Sequence, residues 1–279
     1  MSPRSRAVVL GGGGVTGIAW EIGLLQGLAE RGVDLTDAAL FVGTSAGSVV
    51  AAQLTSGVPL DQLYKEQTTE ATGEVTARIG PEALLRFVMA SVIPGDRRRG
   101  RAWLGRAALR AKTVPESERR AIIAQRVPYH DWPQQRLLVT AVDAQNGEPK
   151  IFDRDSGVPL TDAVAASCAV PVVWPPITIG GRRYLDGGVR SVANVDLANG
   201  YERVVVVAPL DAALRRADRP AVQAAALGPN VRSVVVTPDT AAKTAIGRNV
   251  LDPARRIPSA RAGRAQAAAV AHRVREVWG

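Results

Sequence analysis

The chain has 279 residues, 46% of them apolar and 22% charged, which is enough to bury a substantial core and argues against disorder. A single cysteine, Cys168, excludes an internal disulfide framework and a multi-thiolate metal site, and two histidines argue against a histidine-rich metal centre. Basic residues outnumber acidic ones by nine. No apolar run reaches the roughly 7–15 residues of a signal-peptide core or the roughly 20 of a membrane span. We therefore expect a single cytoplasmic domain over residues 1–279, with peripheral membrane contact left open.

The first third of the chain alternates short apolar strands with helices. The pattern predicts strands at Ala7–Leu10 and Leu40–Val42, each followed by a helix, at Thr16–Glu30 and Ala46–Ser56. Alternating elements of this kind form parallel sheets covered by helices. We therefore expect an α/β fold with a mostly parallel central sheet and helices on both faces.

The middle of the chain, residues 60–128, contains no convincing strand and reads as a helical insertion over one edge or mouth of the sheet. Whether it opens as a lid is left open. Helices are predicted at Leu60–Glu70, Pro81–Val92, Trp103–Arg110 and Glu116–Gln125. Strands then return at Leu137–Val142, Lys150–Phe152, Ile177–Ile179, Arg183–Leu185, Val204–Ala208 and Val231–Val236, and a helix closes the chain at 259–278. The last two strands are rich in valine, as is typical of strands buried on both faces.

A Gly-x-Ser-x-Gly motif, Gly43 to Gly47, lies between the second strand and the second helix. A one-residue turn from strand to helix strains the backbone at Ser45, and the flanking glycines Gly43 and Gly47 relieve the crowding. The hydroxyl then projects at the carboxyl end of the sheet, beside a helix N-terminus that favours negative charge. This placement indicates a nucleophilic serine.

A serine nucleophile needs a base, and the usual histidine is poorly placed here. His130 lies in a loop-like stretch and His272 in a late arginine-rich helix, so each reads as a surface or packing residue. Asp186 follows a predicted strand, and Gly187 and Gly188 behind it let the backbone turn sharply. A carboxylate that acts directly as the base is the better candidate.

A glycine run, Gly11 to Gly14, joins the first strand to the first helix and contains the dinucleotide fingerprint Gly-x-Gly-x-x-Gly. That interpretation requires an acidic residue at the end of the second strand. Ser45 and its motif stand there instead, so we reject nucleotide binding. Beside Ser45, the backbone N–H groups of Gly12, Gly13 and Gly14 are suited to an oxyanion hole.

These pieces, in this order, resemble the patatin-like phospholipases: a glycine-rich loop, a Gly-x-Ser-x-Gly about 30 residues later, and a distant Asp-Gly-Gly. The block Ala166–Pro171, followed by Trp174-Pro175-Pro176, is similar to the family's Ala-Ser-x-Ala-x-Pro stretch before the catalytic Asp. Asn194 resembles the Asn found shortly after that Asp. The resemblance covers about residues 7–210.

The resemblance implies a Ser45–Asp186 dyad that hydrolyses acyl esters of lipids with no metal or cofactor. Asp186 would take the serine proton, and the glycine loop would hold the oxyanion. Two positions depart from the family pattern. Thr16 stands where Arg or Lys is usual, which puts affinity for an anionic headgroup and full activity in doubt. Cys168 stands where Ser is common, and we interpret it as a small packing residue.

The segment from Asp96 to Arg120 carries nine basic residues against three acidic ones, together with Trp103, Leu104 and Leu109. It suits an anionic lipid surface, and equally a solvated helical face. No nucleic-acid-binding fold accompanies it, so we expect a lipid or membrane-surface substrate and no nucleic acid. Two alternatives to a dyad hydrolase stay open: a catalytically weak patatin-like protein that binds membranes or a partner, and a conventional triad hydrolase. The sequence predicts no oligomeric state.

Overall fold

The computed structural model describes residues 5–70, 77–127 and 130–279; residues 71–76 and 128 of the predicted insertion, and residues 1–4 and 129 of the predicted domain, lie outside these. Eight strands form one sheet. They are β1 Arg6–Leu10, β2 Leu40–Gly43, β3 Arg136–Asp143, β4 Pro149–Phe152, β5 Ile177–Ile179, β6 Arg182–Asp186, β7 Arg203–Val207 and β8 Arg232–Val236. Every predicted strand is present, with its ends shifted by no more than one residue.

The helices assigned in the described residues are α1 Gly14–Ala29, α2 Ala46–Leu54, α3 Leu60–Thr68, α4 Pro81–Val92, α5 Arg97–Arg110, α6 Glu116–Arg126, α7 Leu160–Ser167, α8 Pro220–Ala225, α9 Thr240–Ile246 and α10 Arg256–Trp278. Sequence analysis missed α7, α8 and α9, which are too short to show a helical repeat of apolar residues. It also began α5 at Trp103. The side chain of Asp96 accepts a hydrogen bond from the Arg98 N–H (2.9 Å) and so caps the helix six residues earlier.

The strand order is β5-β6-β3-β2-β1-β7-β8, with β4 beside β3. The run from β3 to β8 is parallel, whereas β4, β5 and β6 pair in antiparallel fashion. The expected mostly parallel α/β sheet is confirmed. Because β6 runs against β3, Asp186 at the end of β6 lies opposite Ala141, near the carboxyl ends of the parallel strands.

Both faces of the central strands are buried. Val8 and Leu10 of β1 point into a large core shared with α1, α2 and α10, and Val9 points into a second core on the other face. All five residues of β7 are buried, as predicted from its valines. The same prediction for β8 is wrong, because β8 is the edge strand and its buried and partly exposed residues alternate.

Helices α1 and α10 pack backbone against backbone through glycines. A Cβ on Gly23 would lie 2.0 Å from the Ala260 carbonyl oxygen, and one on Gly263 would lie 2.3 Å from the Trp20 carbonyl oxygen. The indole N–H of Trp20 donates to Gln266 of α10 (3.0 Å). The C-terminal helix is therefore an integral layer of the domain.

The described part of the insertion is helical, and α4, α5 and α6 contribute residues to the wall of a cavity at the carboxyl end of the sheet. The basic segment predicted as one surface is divided. Leu104 is buried, Arg119 points into the cavity, and Arg120 pairs with Glu116 and Asp162. Among the described residues, no helix combines the length and the apolar character needed to cross a bilayer.

Candidate active site

Ser45 occupies the turn between β2 and α2 and has a strained backbone, with φ 52° and ψ −116°. Positive φ is rare for a residue with a side chain and occurs often at functional turns. The Ser45 N–H donates to the Ser167 hydroxyl (2.9 Å), and the Ser45 carbonyl accepts a hydrogen bond from the Ser48 hydroxyl (2.7 Å). These two bonds hold the turn, and the side chain is left in the cavity wall with 8% of the residue exposed.

The glycines of the motif are required by close backbone contacts. A Cβ on Gly43 would lie 2.5 Å from the Ser48 Cα, and one on Gly47 would lie 2.1 Å from the Leu10 carbonyl oxygen. The Gly47 N–H also donates to Gly11 (3.0 Å). The sequence-based reason for these glycines, relief of crowding at a tight turn, agrees with these contacts.

Asp186 ends β6 and is buried. Its Oδ1 accepts the Gly188 N–H at 2.7 Å. The sequence predicts a sharp turn at Gly187 and Gly188, and the chain does turn there into the 3-10 helix Gly187–Val189, although neither glycine has positive φ. Gly187 is needed for another reason, since a Cβ there would lie 2.1 Å from the Thr140 hydroxyl oxygen.

Ser45 and Asp186 lie 141 positions apart in the sequence, yet both line the cavity, and the Ser45 side chain lies close enough to the Asp186 carboxyl group to lower its pKa. Burial raises the pKa of Asp186 to about 6, against the opposing effects of the Ser45 side chain, the Gly188 N–H bond and the charge of Arg119. A carboxyl group with this pKa is ionised at neutral pH and is a stronger base than an exposed aspartate.

A buried polar network ties the two halves of the pair together. The Asn194 side-chain amide donates to the Thr44 hydroxyl (2.9 Å) and to the Ser191 carbonyl (2.8 Å), and Asn194 itself has positive φ (55°). The Thr140 hydroxyl donates to the same Thr44 oxygen (3.0 Å). The network joins the ends of β2 and β3 to the loop after Asp186. Sequence analysis singled out Asn194 but missed Thr44 and Thr140, which carry no motif signal of their own.

The glycine loop lies beside Ser45 and presents fewer donors than expected. A Cβ on Gly12 would lie 3.5 Å from the Ser45 Cβ, which places the loop against the serine. The Gly12 N–H, however, donates to the Val192 carbonyl (2.7 Å). Within the described part of the chain, the N–H groups of Gly13 and Gly14 have no such partner. Two of the three predicted oxyanion donors thus remain available.

Thr16, which replaces the family's usual basic residue, is fully buried and does not face the cavity. Both its N–H and its hydroxyl donate to the Val250 carbonyl (3.2 Å each). The threonine therefore joins α1 to the segment before α10 and supplies no charge to the site.

A cation reaches the site from a different element. Arg119 of α6 is 5% exposed, and its guanidinium carbon lies 4.2 Å from the centroid of the Trp174 ring. Burial lowers the pKa of Arg119 to about 10, so it stays charged at neutral pH. Its charge acts on Asp186, and its Nε has no hydrogen-bond partner in the described structure. In the sequence this residue belongs to the basic segment from Asp96 to Arg120, for which no role at the site was predicted.

The two histidines lie apart from Ser45 and Asp186, whereas Cys168 lies beside Ser45. His130 contacts Thr161 (3.2 Å) and His272 contacts Glu276 (3.6 Å), and neither histidine lines the cavity. Cys168 lines the cavity, but burial raises the pKa of its thiol to about 11, and its Sγ donates to the Ser45 carbonyl (3.4 Å). In the described ranges, no group of three or more His, Cys, Asp or Glu residues could hold a metal ion.

The cavity that joins these groups has a volume of about 380 Å³. Ser45, Asp186 and the glycine loop form one part of its wall, and much of the rest is apolar. The apolar part includes Ile18, Leu84, Phe87, Leu104, Ile122 and Leu251. A cavity with a mostly apolar wall and a few polar groups is the usual form of a site for a small, mostly apolar ligand.

A family model described as patatin-like phospholipase matches residues 8–199. Uncharacterized NTE family proteins from Mycobacterium tuberculosis and Mycobacterium bovis are each 30% identical over 195 residues, which are 67% of this chain and 43% of theirs. The chain thus spans less than half the length of these curated relatives. The crystal structure of VipD from Legionella pneumophila covers 98% of this chain and 67% of its own, with 14% identity and a TM-score of 0.48.

Proposed function

Because this chain belongs to the patatin-like phospholipase family, a family of lipid hydrolases, we propose that it hydrolyses acyl esters of lipids with Ser45 as nucleophile and Asp186 as base. The observation that carries the proposal is that the strained Ser45 and the buried carboxyl group of Asp186 come together in the wall of one mostly apolar cavity. The lipid class extends to phospholipids, lysophospholipids and neutral acylglycerols.

In the first half of the reaction, the Ser45 oxygen attacks the ester carbonyl carbon while its proton passes to Asp186. The carbonyl oxygen becomes an oxyanion, and the free N–H groups of Gly13 and Gly14 are suited to hold it. Each well-placed donor of this kind contributes about 3–4 kcal/mol to transition-state stabilisation. The tetrahedral intermediate collapses to an acyl-serine as the alcohol leaves with the proton from Asp186.

In the second half, Asp186 takes a proton from water, and the resulting hydroxide attacks the acyl-serine. The second intermediate expels the Ser45 oxygen, which regains the proton from Asp186, and the fatty acid is released. A pKa near 6 supports both roles, since the group is mostly ionised at pH 7 yet basic enough to accept a proton.

A soluble short-chain nitrophenyl ester and a fluorophosphonate label test the chemistry directly. We expect Ser45→Ala and Asp186→Asn each to lower kcat/KM by about 10³-fold or more. The matched control is Ser56→Ala, because the Ser56 hydroxyl bonds only within the last turn of α2 and at the loop behind it. His130→Ala and His272→Ala should keep most of the activity. A label mapped to any residue but Ser45, or loss of turnover in either histidine variant, would contradict the dyad.

A catalytically weak protein that binds membranes or a partner is the alternative, and Thr16 favours it because that position supplies no charge to the cavity. Binding of phospholipid vesicles by the wild-type chain, with no turnover of either soluble or vesicle-bound esters, would support this alternative. Arg119 argues against it, since it brings a buried cation to the same site.

A further inference from the structure

The outer face of α4 is apolar and open to solvent. Leu85, Met89 and Val92 are 60%, 48% and 64% exposed, and Val88 between them is also exposed. Their spacing places them on one side of the helix, so they form a continuous stripe rather than isolated surface residues. Soluble monomers rarely leave such a patch uncovered, and patches of this kind usually mark a binding surface.

The opposite side of the same helix belongs to the active-site cavity. Leu84, Phe87 and Ala90 of α4 contribute to its wall, together with Ser45 and Asp186. Leu214, another exposed apolar residue, lines the cavity as well, and the neighbouring Arg215 donates to the Ser91 carbonyl of α4. The helix that carries the exposed stripe therefore forms part of the cavity wall.

A basic helix, α5, is the neighbour of α4. α5 packs closely on α4, because a Cβ on Gly100 would lie 2.1 Å from the Ala90 carbonyl oxygen. Arg99, next to this contact, and Arg106, two turns further along the same side of α5, are both exposed. In the described part of the chain neither forms a salt bridge, whereas Arg97 and Arg98 pair with Asp218 and Glu148.

We infer that this stripe, Leu85, Val88, Met89 and Val92, inserts into the surface of an anionic lipid bilayer, with Arg99 and Arg106 on the phosphate headgroups. The inference rests on the proposed lipid hydrolysis, because a bilayer surface would be the source of the substrate that enters the cavity. Amphipathic helices beside basic residues bind such surfaces by combining apolar insertion with attraction to anionic headgroups. A second copy of this chain bound to the same face would bring its own Arg99 and Arg106 close to these two arginines, and the like charges would repel.

Vesicle sedimentation with the whole chain tests the docking surface. We expect the wild type to bind vesicles of phosphatidylcholine with phosphatidylglycerol, more weakly in high salt, and to bind pure phosphatidylcholine poorly. The variant Leu85→Ser/Met89→Ser/Val92→Ser should bind about tenfold more weakly or worse, since three inserted side chains are lost. Leu109→Ser is the control for an exposed leucine outside the stripe.

A second pair of variants tests how much the positive charge of α5 contributes to vesicle binding. Arg99→Gln/Arg106→Gln should weaken binding to the anionic vesicles and reduce its salt dependence. The matched control is Arg232→Gln/Arg273→Gln, which removes two exposed arginines at the other end of the sheet. All of these variants should hydrolyse the soluble nitrophenyl ester at the wild-type rate, since none replaces a residue of the cavity wall.

The two proposals fail in different ways. Vesicle binding that survives the triple serine substitution, or no vesicle binding by the wild type, overturns the docking surface while soluble ester hydrolysis still stands. A dimer in light scattering that the triple substitution converts to a monomer also overturns it and assigns the stripe to a second copy. Vesicle binding that depends on the stripe, without turnover of any ester, supports the docking surface and contradicts the hydrolase.

Discussion

The guanidinium of Arg119 stacks over the ring of Trp174 at 4.2 Å, in the wall of the cavity that contains Ser45 and Asp186. The positive charge lies near enough to the Asp186 carboxyl group to lower its pKa, in opposition to burial. Arg119 is thus a positioning residue for the proposed base, brought to it by a helix of the insertion.

Replacing this charge should change the pH dependence of the reaction. In Arg119→Gln the pKa of Asp186 loses a lowering influence, so the acid limb of kcat/KM should move to higher pH, by up to about one unit. A pH–rate profile with the soluble ester measures the shift. Arg120→Gln is the control, because Arg120 sits on the same helix but pairs with Glu116 and Asp162 at the surface. An unshifted profile in Arg119→Gln, or an equal shift in both variants, would show that the Arg119 charge does not set the pKa of Asp186.

The wild-type profile is itself a prediction. A base with a pKa of about 6 must be ionised to act, so kcat/KM should be half-maximal near pH 6 and should fall about tenfold for each pH unit below that. The profile should have no further inflection from a histidine. Half-maximal activity near pH 4 would mean that the carboxyl group is less desolvated than its burial indicates.

Ser167 should matter for catalysis through the Ser45 backbone. Its hydroxyl accepts the Ser45 N–H (2.9 Å), and Ser167→Ala leaves that buried donor without a partner, at a cost of about 1–3 kcal/mol in stability. We expect kcat to fall about 10- to 100-fold with little change in KM, because the nucleophile moves while the cavity stays intact. Ser259→Ala, a buried serine that bonds within α10, should lose stability without the same loss of kcat.

Gly187 should not tolerate a methyl group. In Gly187→Ala the Cβ would lie 2.1 Å from the Thr140 hydroxyl oxygen and 2.6 Å from the Thr140 carbonyl oxygen, so the loop after Asp186 must move. We expect about a 100-fold loss of kcat. Gly80→Ala is the matched control, since a Cβ there has no neighbour within 4 Å. Full activity in Gly187→Ala would show that the Asp186 loop accommodates the change.

Glu21 offers a test of stability rather than activity. It is fully buried, burial raises its pKa well above the usual value, and neither carboxyl oxygen has a partner in the described structure. The folded state therefore keeps this proton when the unfolded chain has lost it, so stability falls as the pH rises above about 4.5. Glu21→Gln should raise the melting temperature at pH 8 by about 2–4 °C and change it little at pH 4. Equal shifts at both pH values would contradict this account.

The sheet, and the position of Ser45 and Asp186 in one cavity, were predictable because their signals are local. Runs such as Val204–Val207 identify buried strands, and the residues around Ser45 and Asp186 fit a motif at each site. Arg119 and Thr140 were not predictable in the same way. They reach the site because α6 folds over the cavity and β3 lies between β2 and β6, and neither contact leaves a mark on the neighbouring sequence.

The edge position of β8 was missed for a related reason. Five residues rich in valine read alike in a central and an outer strand, and only the order of strands in the sheet distinguishes them. The sequence predicts α4 as a helix but does not show that its apolar stripe is exposed. Its apolar residues fit a buried face equally well, and only the fold shows that nothing in the described structure covers it.

The contact between α1 and α10 has a consequence for how the polypeptide is made. α1 is synthesised before seven of the eight strands, while α10 is synthesised after every strand of the sheet. Until then the backbone surface at Gly23 and the indole of Trp20 lack the helix that covers them. A pause in translation before residue 256 would therefore leave a partly folded intermediate with this surface exposed, of the kind that chaperones bind.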